Sequence, residues 1–430
     1  MENTMSSSRL NYGKTFLLGF GFFGVSVVWG VYNAFVPIFL SEKFGLSAAL
    51  VGFFMTLDNI AALFIQPPVG AWSDRLRTPL GRRIPFILVG APITALAFGF
   101  IPVAAVLPLF VACTSSLLLS AALWRTPIVA LMPDITPSEF RSQANGIVNF
   151  MGGVGVIIAL QTGGMLYKMS PNFPFWLGSA LVLISAVIVY LFIEEPKEYG
   201  ETERQPSMLE SLKEIFKDED KSGLRILLAI FFWFIGYSAV ETFFTLYAKN
   251  HLGLNEGDGA TLLSVLPLFF VLAAMPSGFL AGKIGRRATI SIGLITISVM
   301  LFLLYITPAE ALLTGIAPLP LVGIPLVEGG ARMLTLAGVF LIICGISWAF
   351  ININSLPMVV DLTGAARIGT FTGLYYLFST LSAIAGPNIN GWAIHLTGDN
   401  YNMIMIIAPI FMLIAFWLMM GVKRGEASVS

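Results

Sequence analysis

Long apolar runs recur along this chain, and few folds can accommodate so many of them. A helix needs roughly 20 apolar residues to cross about 30 Å of hydrocarbon, and runs of that size occur at twelve places in the sequence. Apolar residues make up 57% of the chain and charged residues only 11%, whereas soluble domains carry about 25% charged residues. The sequence therefore predicts an all-α membrane protein with twelve transmembrane helices.

The twelve predicted spans form two sets of six. They are residues 15–41, 46–73, 85–105, 107–133, 142–167 and 173–193 in the first set, and 223–250, 259–281, 288–306, 333–360, 368–394 and 401–422 in the second. Between the sets, residues 194–222 hold ten acidic and five basic side chains. We therefore expect an N-terminal six-helix bundle (1–193), a cytoplasmic linker (194–222) and a C-terminal six-helix bundle (223–430).

The linker contains one pattern of its own. Ser207 and Glu210 have the spacing of a capping box, and the apolar residues around them repeat at helical spacing. This favours a short amphipathic helix on the membrane surface over a plain solvated connector.

Basic residues concentrate on one side of the predicted spans. If both termini are cytoplasmic, nineteen lysines and arginines lie in inner segments, four lie in outer loops and Arg125 lies inside a span. This distribution satisfies the positive-inside rule. We expect a multi-pass protein of the cell membrane with both termini in the cytoplasm. The first run has no small-residue cleavage site, so we expect it to be retained as a span.

Charge balance, cysteines and motifs exclude other classes of protein. The 24 basic residues are matched by 24 acidic ones, so no global field attracts nucleic acid. Cys113 and Cys344 lie in apolar runs without partners at metal-like spacing, which indicates packing residues and no metal site. The sequence has no phosphate-binding loop, nucleophile elbow or zinc-protease motif. We expect no enzymatic activity and no cofactor, and secondary transport rather than an ATP-driven pump.

Two loop patterns occur once in each set of six spans. The first follows spans 2 and 8, and the second follows spans 4 and 10. The residues of these patterns are Gly70, Asp74, Arg75, Gly81, Arg82, Arg83, Asp134 and Arg141 in the first half, and Gly278, Gly285, Arg286, Arg287, Asp361 and Arg367 in the second. Matched patterns at equivalent positions indicate internal duplication, which in transporters places the binding site near the midplane between the repeats.

These loop residues have two alternative roles. The glycines at 70 and 278 would let helix backbones approach closely, and the basic cluster would anchor each loop at the negatively charged inner leaflet. Asp74 could accept hydrogen bonds from an arginine or from a helix start, and such a latch could break and reform as the halves rock. We favour gating over a role limited to topology and folding.

The loop patterns also carry a resemblance. The run from Gly278 to Arg287, G-x-L-A-G-K-x-G-R-R, resembles the loop signature of the major facilitator superfamily. The first-half block from Gln66 to Ile87, with five residues inserted before Gly81, resembles the plant sucrose:proton symporters and their bacterial and animal relatives in the glycoside–pentoside–hexuronide:cation symporter group. The resemblance implies two pseudo-symmetric six-helix bundles that carry a sugar and a proton by alternating access.

Three ionisable residues lie inside predicted spans and away from the span ends, namely Asp58, Arg125 and Glu241. A charge at the bilayer centre costs at least about 2.5 kcal/mol, so each is a candidate functional residue. Asp58 and Glu241 are proton-coupling candidates, because a carboxylate in a low dielectric can hold its proton near neutral pH. Asp58 and Arg125 could instead form a structural ion pair, and Glu241 a structural hydrogen bond.

The resembled symporters carry an acidic residue in the fourth span, where this chain has Leu118, and a glutamine where it has Arg125. Coupling through Asp58 or Glu241 and uncoupled transport therefore both remain open.

Sugar sites combine aromatic faces with amides and carboxylates. Spans 1 and 10 each contain a tryptophan followed by an asparagine four residues later, which places both on one helix face. The substrate-binding candidates are Trp29, Asn33, Arg125, Gln161, Tyr237, Trp348, Asn352, Asn354 and Tyr375. Packing is the alternative role for the aromatic residues.

We therefore expect a monomeric sugar:proton symporter in contact with membrane lipid. The alternatives are an exporter or antiporter of another small organic solute and a non-transporting membrane sensor. The proline-rich outer segment 307–332 could form a loop, a re-entrant turn or part of a lid.

Overall fold

The computed structural model describes residues 10–136, 140–195, 213, 215, 217, 219–320, 323–326, 330–362 and 368–424, without the side chains of 141, 142 and 368–370. Among the described residues, ten helical segments are long and apolar enough to cross a membrane. Two further helices, Ile84–Phe100 with 17 residues and Ile368–Leu396 with 29, complete the twelve predicted spans. The predicted linker helix at Ser207–Glu210 lies outside the described residues.

The helices follow the apolar runs closely. In chain order they are α1 (Tyr12–Ile38, extended by a π-helical turn at Phe39–Lys43), α2 (Ala48–Phe54), α3 (Leu57–Arg75), α4 (Ile84–Phe100), α5 (Leu107–Ile135), α6 (Arg141–Met169), α7 (Phe173–Phe192), α8 (Ser222–Asn250), α9 (Glu256–Leu263), α10 (Val265–Ile284), α11 (Arg286–Ile306), α12 (Ala309–Leu312), α13 (Leu336–Val360), α14 (Ile368–Leu396) and α15 (Ile404–Met420).

Spans 2 and 8 are each broken into two helices. Span 2 consists of α2 and α3, and span 8 of α9 and α10. At the breaks, the Thr56 hydroxyl donates to the Phe53 carbonyl (2.7 Å) and the Ser264 hydroxyl to the Thr261 carbonyl (2.6 Å). A hydroxyl that bonds back to the preceding turn bends a helix. Hydropathy is continuous across both breaks, which is why the sequence predicts unbroken spans.

The two breaks occupy equivalent places in the two halves. Thr56 precedes Gly70 by 14 residues (70 minus 56), and Ser264 precedes Gly278 by 14 (278 minus 264). Both hydroxyl residues are fully buried. The match supports the internal duplication, and paired helix breaks in the two halves of a transporter point towards the region of its binding site.

The loops before the broken spans match as well. Gly45 and Gly253 both adopt positive φ angles, 66° and 72°, which glycine tolerates without steric cost. Two residues later, the side chains of Ser47 and Asn255 cap the following helices by accepting from the N–H groups of Leu50 (3.4 Å) and Asp258 (2.9 Å). The same start signal therefore opens spans 2 and 8.

The segment between α11 and α13 forms a small sheet, where the sequence left open a loop, a re-entrant turn or part of a lid. It contains α12 and three short strands, β1 (Gly315–Pro318), β2 (Ile324–Pro325) and β3 (Arg332–Thr335), paired antiparallel in the order β1-β3-β2. Span 10 was predicted from residue 333 and begins instead at Leu336. The strand pairs the backbone up to Thr335, whose hydroxyl then caps α13 by accepting from Gly338 N–H (3.2 Å).

The described chain groups into two compact units. Unit 1 is Met1–Tyr32 with Ala61–Gly200, and unit 2 is Asn33–Ile60 with Glu201–Ser430. The core of unit 1 includes the fully buried Phe98, Phe110, Trp124 and Phe175, and that of unit 2 includes Trp233, Phe243, Phe244 and Tyr247. Residues 33–60 thus group with unit 2, and the predicted division at 194–222 stays a prediction.

Candidate functional site

A carboxylate two-thirds of the way along span 7 is the centre of the candidate site. The Asn33 amide in α1 donates to Oε1 of Glu241 in α8 at 3.1 Å, and both residues belong to unit 2. The Glu241 side chain is exposed, whereas its neighbours Val240 and Thr242 are 4% and 6% exposed. Glu241 therefore faces space that protein does not fill, although its helix is otherwise packed on both sides.

Aromatic rings lie beside this carboxylate. Tyr237, one turn before Glu241, stacks on Trp348 of α13 with ring centroids 4.0 Å apart and planes 6° apart. Phe234 meets the Trp348 ring edge-to-face at 5.4 Å and the Tyr375 ring at 6.3 Å. Trp348 is only 3% exposed. Its ring is thus covered, so the half-buried Tyr237 is the ring next to Glu241 that can meet a solute.

The amides of span 10 differ in their availability. Asn354 is buried, and its amide donates to the Ser277 hydroxyl and to the Phe350 carbonyl, both at 2.9 Å. Both of its N–H groups are used within the protein, so the structure does not favour the predicted contact of Asn354 with a sugar. Asn352 is half-buried and stays a candidate. Tyr375 is 6% exposed, and its hydroxyl lies 3.1 Å from that of Ser355.

The other predicted proton-coupling and substrate-binding residues lie in α3 or in unit 1. Asp58 is in the first turn of α3 and accepts from the Asn59 amide at 2.9 Å. Arg125, Gln161 and Trp29 are half-buried residues of unit 1. Pairing of Asp58 with Arg125, and contact of these residues with a solute, stay predictions.

The first-half loop residues form one charged network in unit 1. Arg83 is 4% exposed, and its guanidinium donates to Asp74 (2.5 Å), to Asp134 (3.0 Å) and to the Ser73 hydroxyl. Arg82 pairs with the second oxygen of Asp134 at 2.7 Å. The structure thus joins the loop after span 2 to the end of span 4, which the sequence analysis treated as two separate patterns.

The second half contains an ion pair at the equivalent loop positions. Arg286 forms an ion pair with Asp361, and Arg287 donates to the Met420 carbonyl at 2.6 Å. Gly81 and Gly285, which precede the paired arginines, have φ angles of 102° and 90°, a conformation that favours glycine. Gating by these residues stays a prediction.

Several loop predictions need correction or lie outside the described part. A Cβ on Gly278 would meet nothing within 4 Å, and one on Gly70 would make an ordinary contact at 3.6 Å. The predicted close backbone approach at these glycines was therefore wrong. Arg75 is exposed at the end of α3. The Arg141 side chain and all of Arg367 lie outside the described residues.

Glu195 completes the first-half network and was missed by the sequence analysis. Its carboxylate accepts from the backbone N–H groups of Arg83 (2.8 Å) and Ile84 (3.4 Å) at the start of α4. Burial raises the pKa of Glu195 above its usual range, and these backbone hydrogen bonds offset only part of that effect. The available signal was an acidic pair directly after span 6, which resembles any solvated linker.

A second ion-pair cluster lies at the ends of spans 1 and 7 that are predicted to be outside. Lys249 Nζ lies 2.5 Å from Glu42 of the π-helical turn and 2.5 Å from Glu256 at the start of α9. All three residues belong to unit 2. Within the described residues, no cluster of three or more histidine, cysteine or acidic side chains could hold a metal ion.

Comparison with known proteins gives a family match and a fold. The family model described as Major Facilitator Superfamily matches residues 18–387. A bacterial homolog of the human lysosomal transporter Spinster, in an inward-facing and occupied conformation, has a TM-score of 0.72 at 15% identity over 94% of this chain and 95% of its own. The nucleoside transporter NupG gives 0.69 at 16% identity over 96% of this chain and 100% of its own. The predicted fold class is confirmed.

The sequence relatives align with a smaller part of the chain than these structures do. Multidrug resistance protein 2 of Bacillus subtilis (strain 168) is 25% identical over 285 residues, which are 65% of this chain and 69% of that protein. The cis,cis-muconate transport protein of Acinetobacter baylyi is 25% identical over 179 residues, 40% of this chain and 43% of that protein. Multidrug resistance protein MdtH of Photorhabdus laumondii is 28% identical over 219 residues, with 50% and 51% covered. The chain thus spans about half the length of two of these three relatives.

Proposed function

Because the chain belongs to the Major Facilitator Superfamily, whose matched relatives transport solutes across membranes, we propose that it is a proton-coupled secondary transporter in which Glu241 binds the coupling proton. The observation that carries this proposal is the Asn33–Glu241 hydrogen bond beside the Tyr237 and Trp348 rings. A titratable carboxylate beside the Tyr237 ring supports a proton site next to a solute site.

The surroundings of Glu241 suit a proton carrier. In the described part of the chain, its hydrogen-bond partner is the neutral Asn33 amide, and no lysine or arginine pairs with it. A membrane carboxylate without a cationic partner is costly as an anion and acceptable as a neutral acid. Glu241 can therefore take up a proton without leaving an unpaired positive charge in the span. If its partner were a lysine or arginine, protonation would leave that cation unpaired.

The cargo favoured by this site is an amphipathic organic solute with a flat apolar face and a positive or hydrogen-bond-donating group. Tyr237 offers a ring, and Glu241 attracts a cation or a donor. Relatives named as multidrug resistance proteins support this class. Such a solute would leave the cell in exchange for protons.

Sugar:proton symport is the second candidate, and the block from Gln66 to Ile87 favours it. Against it stand the covered ring of Trp348 and the internally bonded amide of Asn354. A polyhydroxylated cargo needs several free donors and acceptors, and within unit 2 the described candidates are reduced to Asn352 and the Asn33–Glu241 pair.

Transport by purified protein in proteoliposomes tests Glu241. Glu241→Gln should abolish accumulation driven by a pH gradient and retain solute exchange at zero gradient, because the amide fills the site and does not titrate. Glu310→Gln, which changes an exposed carboxylate outside the spans, is the matched control and should accumulate solute normally. Accumulation by Glu241→Gln at the wild-type level would refute the coupling role.

The same vesicles distinguish the two cargo classes. Ethidium, a flat aromatic cation, is expected to move against its gradient when a proton gradient is imposed in the opposite sense. Radiolabelled sucrose and maltose are expected to show no counterflow. The reverse pattern would establish the sugar symporter instead, with Glu241 still available as its proton site.

A further inference from the structure

Asn33 and Glu241 occupy the same position in the two repeats. Their separation is 208 residues (241 minus 33), and the same separation relates Gly45 to Gly253, Ser47 to Asn255, Thr56 to Ser264 and Gly70 to Gly278. The hydrogen bond between them therefore joins equivalent points of spans 1 and 7. The two residues are at equivalent positions of the repeats, with an amide in the first half and an acid in the second.

The residues one turn earlier match in the same way. Trp29 and Tyr237 are also 208 residues apart (237 minus 29), so each polar residue follows an aromatic one by four positions. An amide cannot titrate, whereas the acid can. The pair thus holds a single exchangeable proton. Two facing carboxylates would hold two, and would lose them in two coupled steps.

The strength of this hydrogen bond depends on the charge of Glu241. A bond from an amide N–H to an ionised carboxylate is roughly twice as strong as one between neutral groups. When a proton from the aqueous phase binds a carboxylate oxygen of Glu241, the bond from Asn33 weakens. The nearby titratable group in the described structure is Tyr237, one turn away on the same helix, which feels the charge of Glu241, and Trp348 of the packed α13 adds no charge.

Spans 1 and 7 meet at a second level, where the contact does not depend on Glu241. Lys249 binds Glu42 at 2.5 Å, and Lys249 lies eight residues beyond Glu241, or about 12 Å along the helix axis. The two spans are thus held together at an outer ion pair and at a mid-span hydrogen bond. Only the mid-span bond responds to a proton on Glu241.

We infer that Asn33 is a positioning residue, which holds the Glu241 carboxylate and transmits its protonation to span 1. This inference rests on the proposed role of Glu241 as the proton carrier, and it assigns Asn33 to coupling rather than to solute contact. Loss of the Asn33 donor destabilises the charged carboxylate, so Glu241 then keeps its proton to higher pH.

The pH dependence of transport in proteoliposomes tests the inference. Asn33→Leu should move the midpoint of the pH profile upward by about one pH unit, the size expected for one hydrogen bond to a charged group. Below that midpoint, KM for the solute should equal the wild-type value. Asn33→Gln keeps an amide donor and should keep the wild-type midpoint.

Asn388→Leu is the matched control. The Asn388 amide also bonds between spans, to the Thr56 hydroxyl at 3.4 Å, and its other partner among the described residues is the Ile384 carbonyl and not a carboxylate. Its removal should leave the midpoint unchanged. If Asn33→Leu does not yield folded protein, Asn33→Ala removes the donor without adding bulk or charge and should give the same upward shift.

The possible failures are distinguishable. An unshifted midpoint in Asn33→Leu or Asn33→Ala would overturn the inference, and so would a KM raised at every pH, which marks a solute ligand. Either result leaves the proposed function intact as long as Glu241→Gln is uncoupled. Retained coupling in Glu241→Gln would overturn the proposed function itself.

Discussion

Every nitrogen of the Arg83 guanidinium has an oxygen partner within unit 1. Nε bonds to Asp134, Nη1 to Ser73 and Nη2 to Asp74, while the backbone N–H of the same residue bonds to Glu195. One residue therefore fixes the start of α4 to α3, to α5 and to the segment after α7. Its lost hydration is replaced by charge-assisted hydrogen bonds, which a buried charge requires.

Glu195 gives this network a dependence on pH. Burial raises its pKa, so the folded protein binds the proton more tightly than the unfolded chain does. The stabilising contribution of Glu195 is therefore present at low pH and is lost as the pH rises through the raised pKa. Glu195→Gln does not ionise. Its Tm should increase relative to that of the wild type by about 2 °C between pH 5 and pH 8.

Thermal unfolding in detergent at several pH values measures this difference. The exposed neighbour Glu194 is the control position, and Glu194→Gln should follow the wild type at every pH. Parallel Tm curves for Glu195→Gln and the wild type would contradict the prediction.

At the scale of elements, α2 and α14 pack backbone to backbone inside unit 2. A Cβ on Gly52 would collide with the Pro387 carbonyl, and one on Gly391 would lie 2.5 Å from the Ala48 carbonyl. This pair of glycines, and not those of the loop patterns, permits a close helix approach. Small residues that let helix backbones meet are a common basis of packing in membranes.

Gly391→Ala should lower the Tm by several degrees, because the added methyl group must push α2 away from α14. Gly146→Ala on α6 is the matched control, since its Cβ meets nothing within 4 Å. In that variant the gain in helix propensity, about 1 kcal/mol at most, should keep the Tm at the wild-type value or raise it. Equal effects of the two substitutions would mean that the close contact does not constrain the folded state.

At the scale of the whole molecule, the basic residues predict an orientation that the fold alone does not give. Nineteen lysines and arginines fall on the predicted cytoplasmic side and four on the other. Two ion pairs, Arg82–Asp134 and Arg286–Asp361, would then both lie on the cytoplasmic side.

Cysteine labelling in intact cells tests this orientation. In a chain with Cys113 and Cys344 replaced by serine, Lys168→Cys should react with a membrane-impermeant maleimide added outside. Leu80→Cys, which is exposed in the loop after span 2, should react only after the membrane is permeabilised. Immediate labelling of Leu80→Cys with protection of Lys168→Cys would reverse the topology.

Hydropathy, charge and short repeated motifs along the chain were enough to predict the spans, the duplication and the loop patterns that match between the halves. Each of these depends on local averages or on repeated short patterns. The helix breaks at Thr56 and Ser264 were not predictable in this way, because a back-bonding hydroxyl is common in helices and bends only some of them. The small sheet was missed for a similar reason, since its strands are two to four residues long and their pairing joins positions up to 20 residues apart.

The sequence by itself determined that this protein crosses the membrane as helices, in two related halves, with candidate ionisable residues inside the spans. Only the tertiary structure decided that Asn33 meets Glu241, that Trp348 is covered by Tyr237, and that Asn354 is bonded internally. The physical reason is the distance along the chain over which the two kinds of interaction act. Transfer of a segment into lipid depends on its own residues, whereas the availability of a polar group depends on which distant side chain reaches it first.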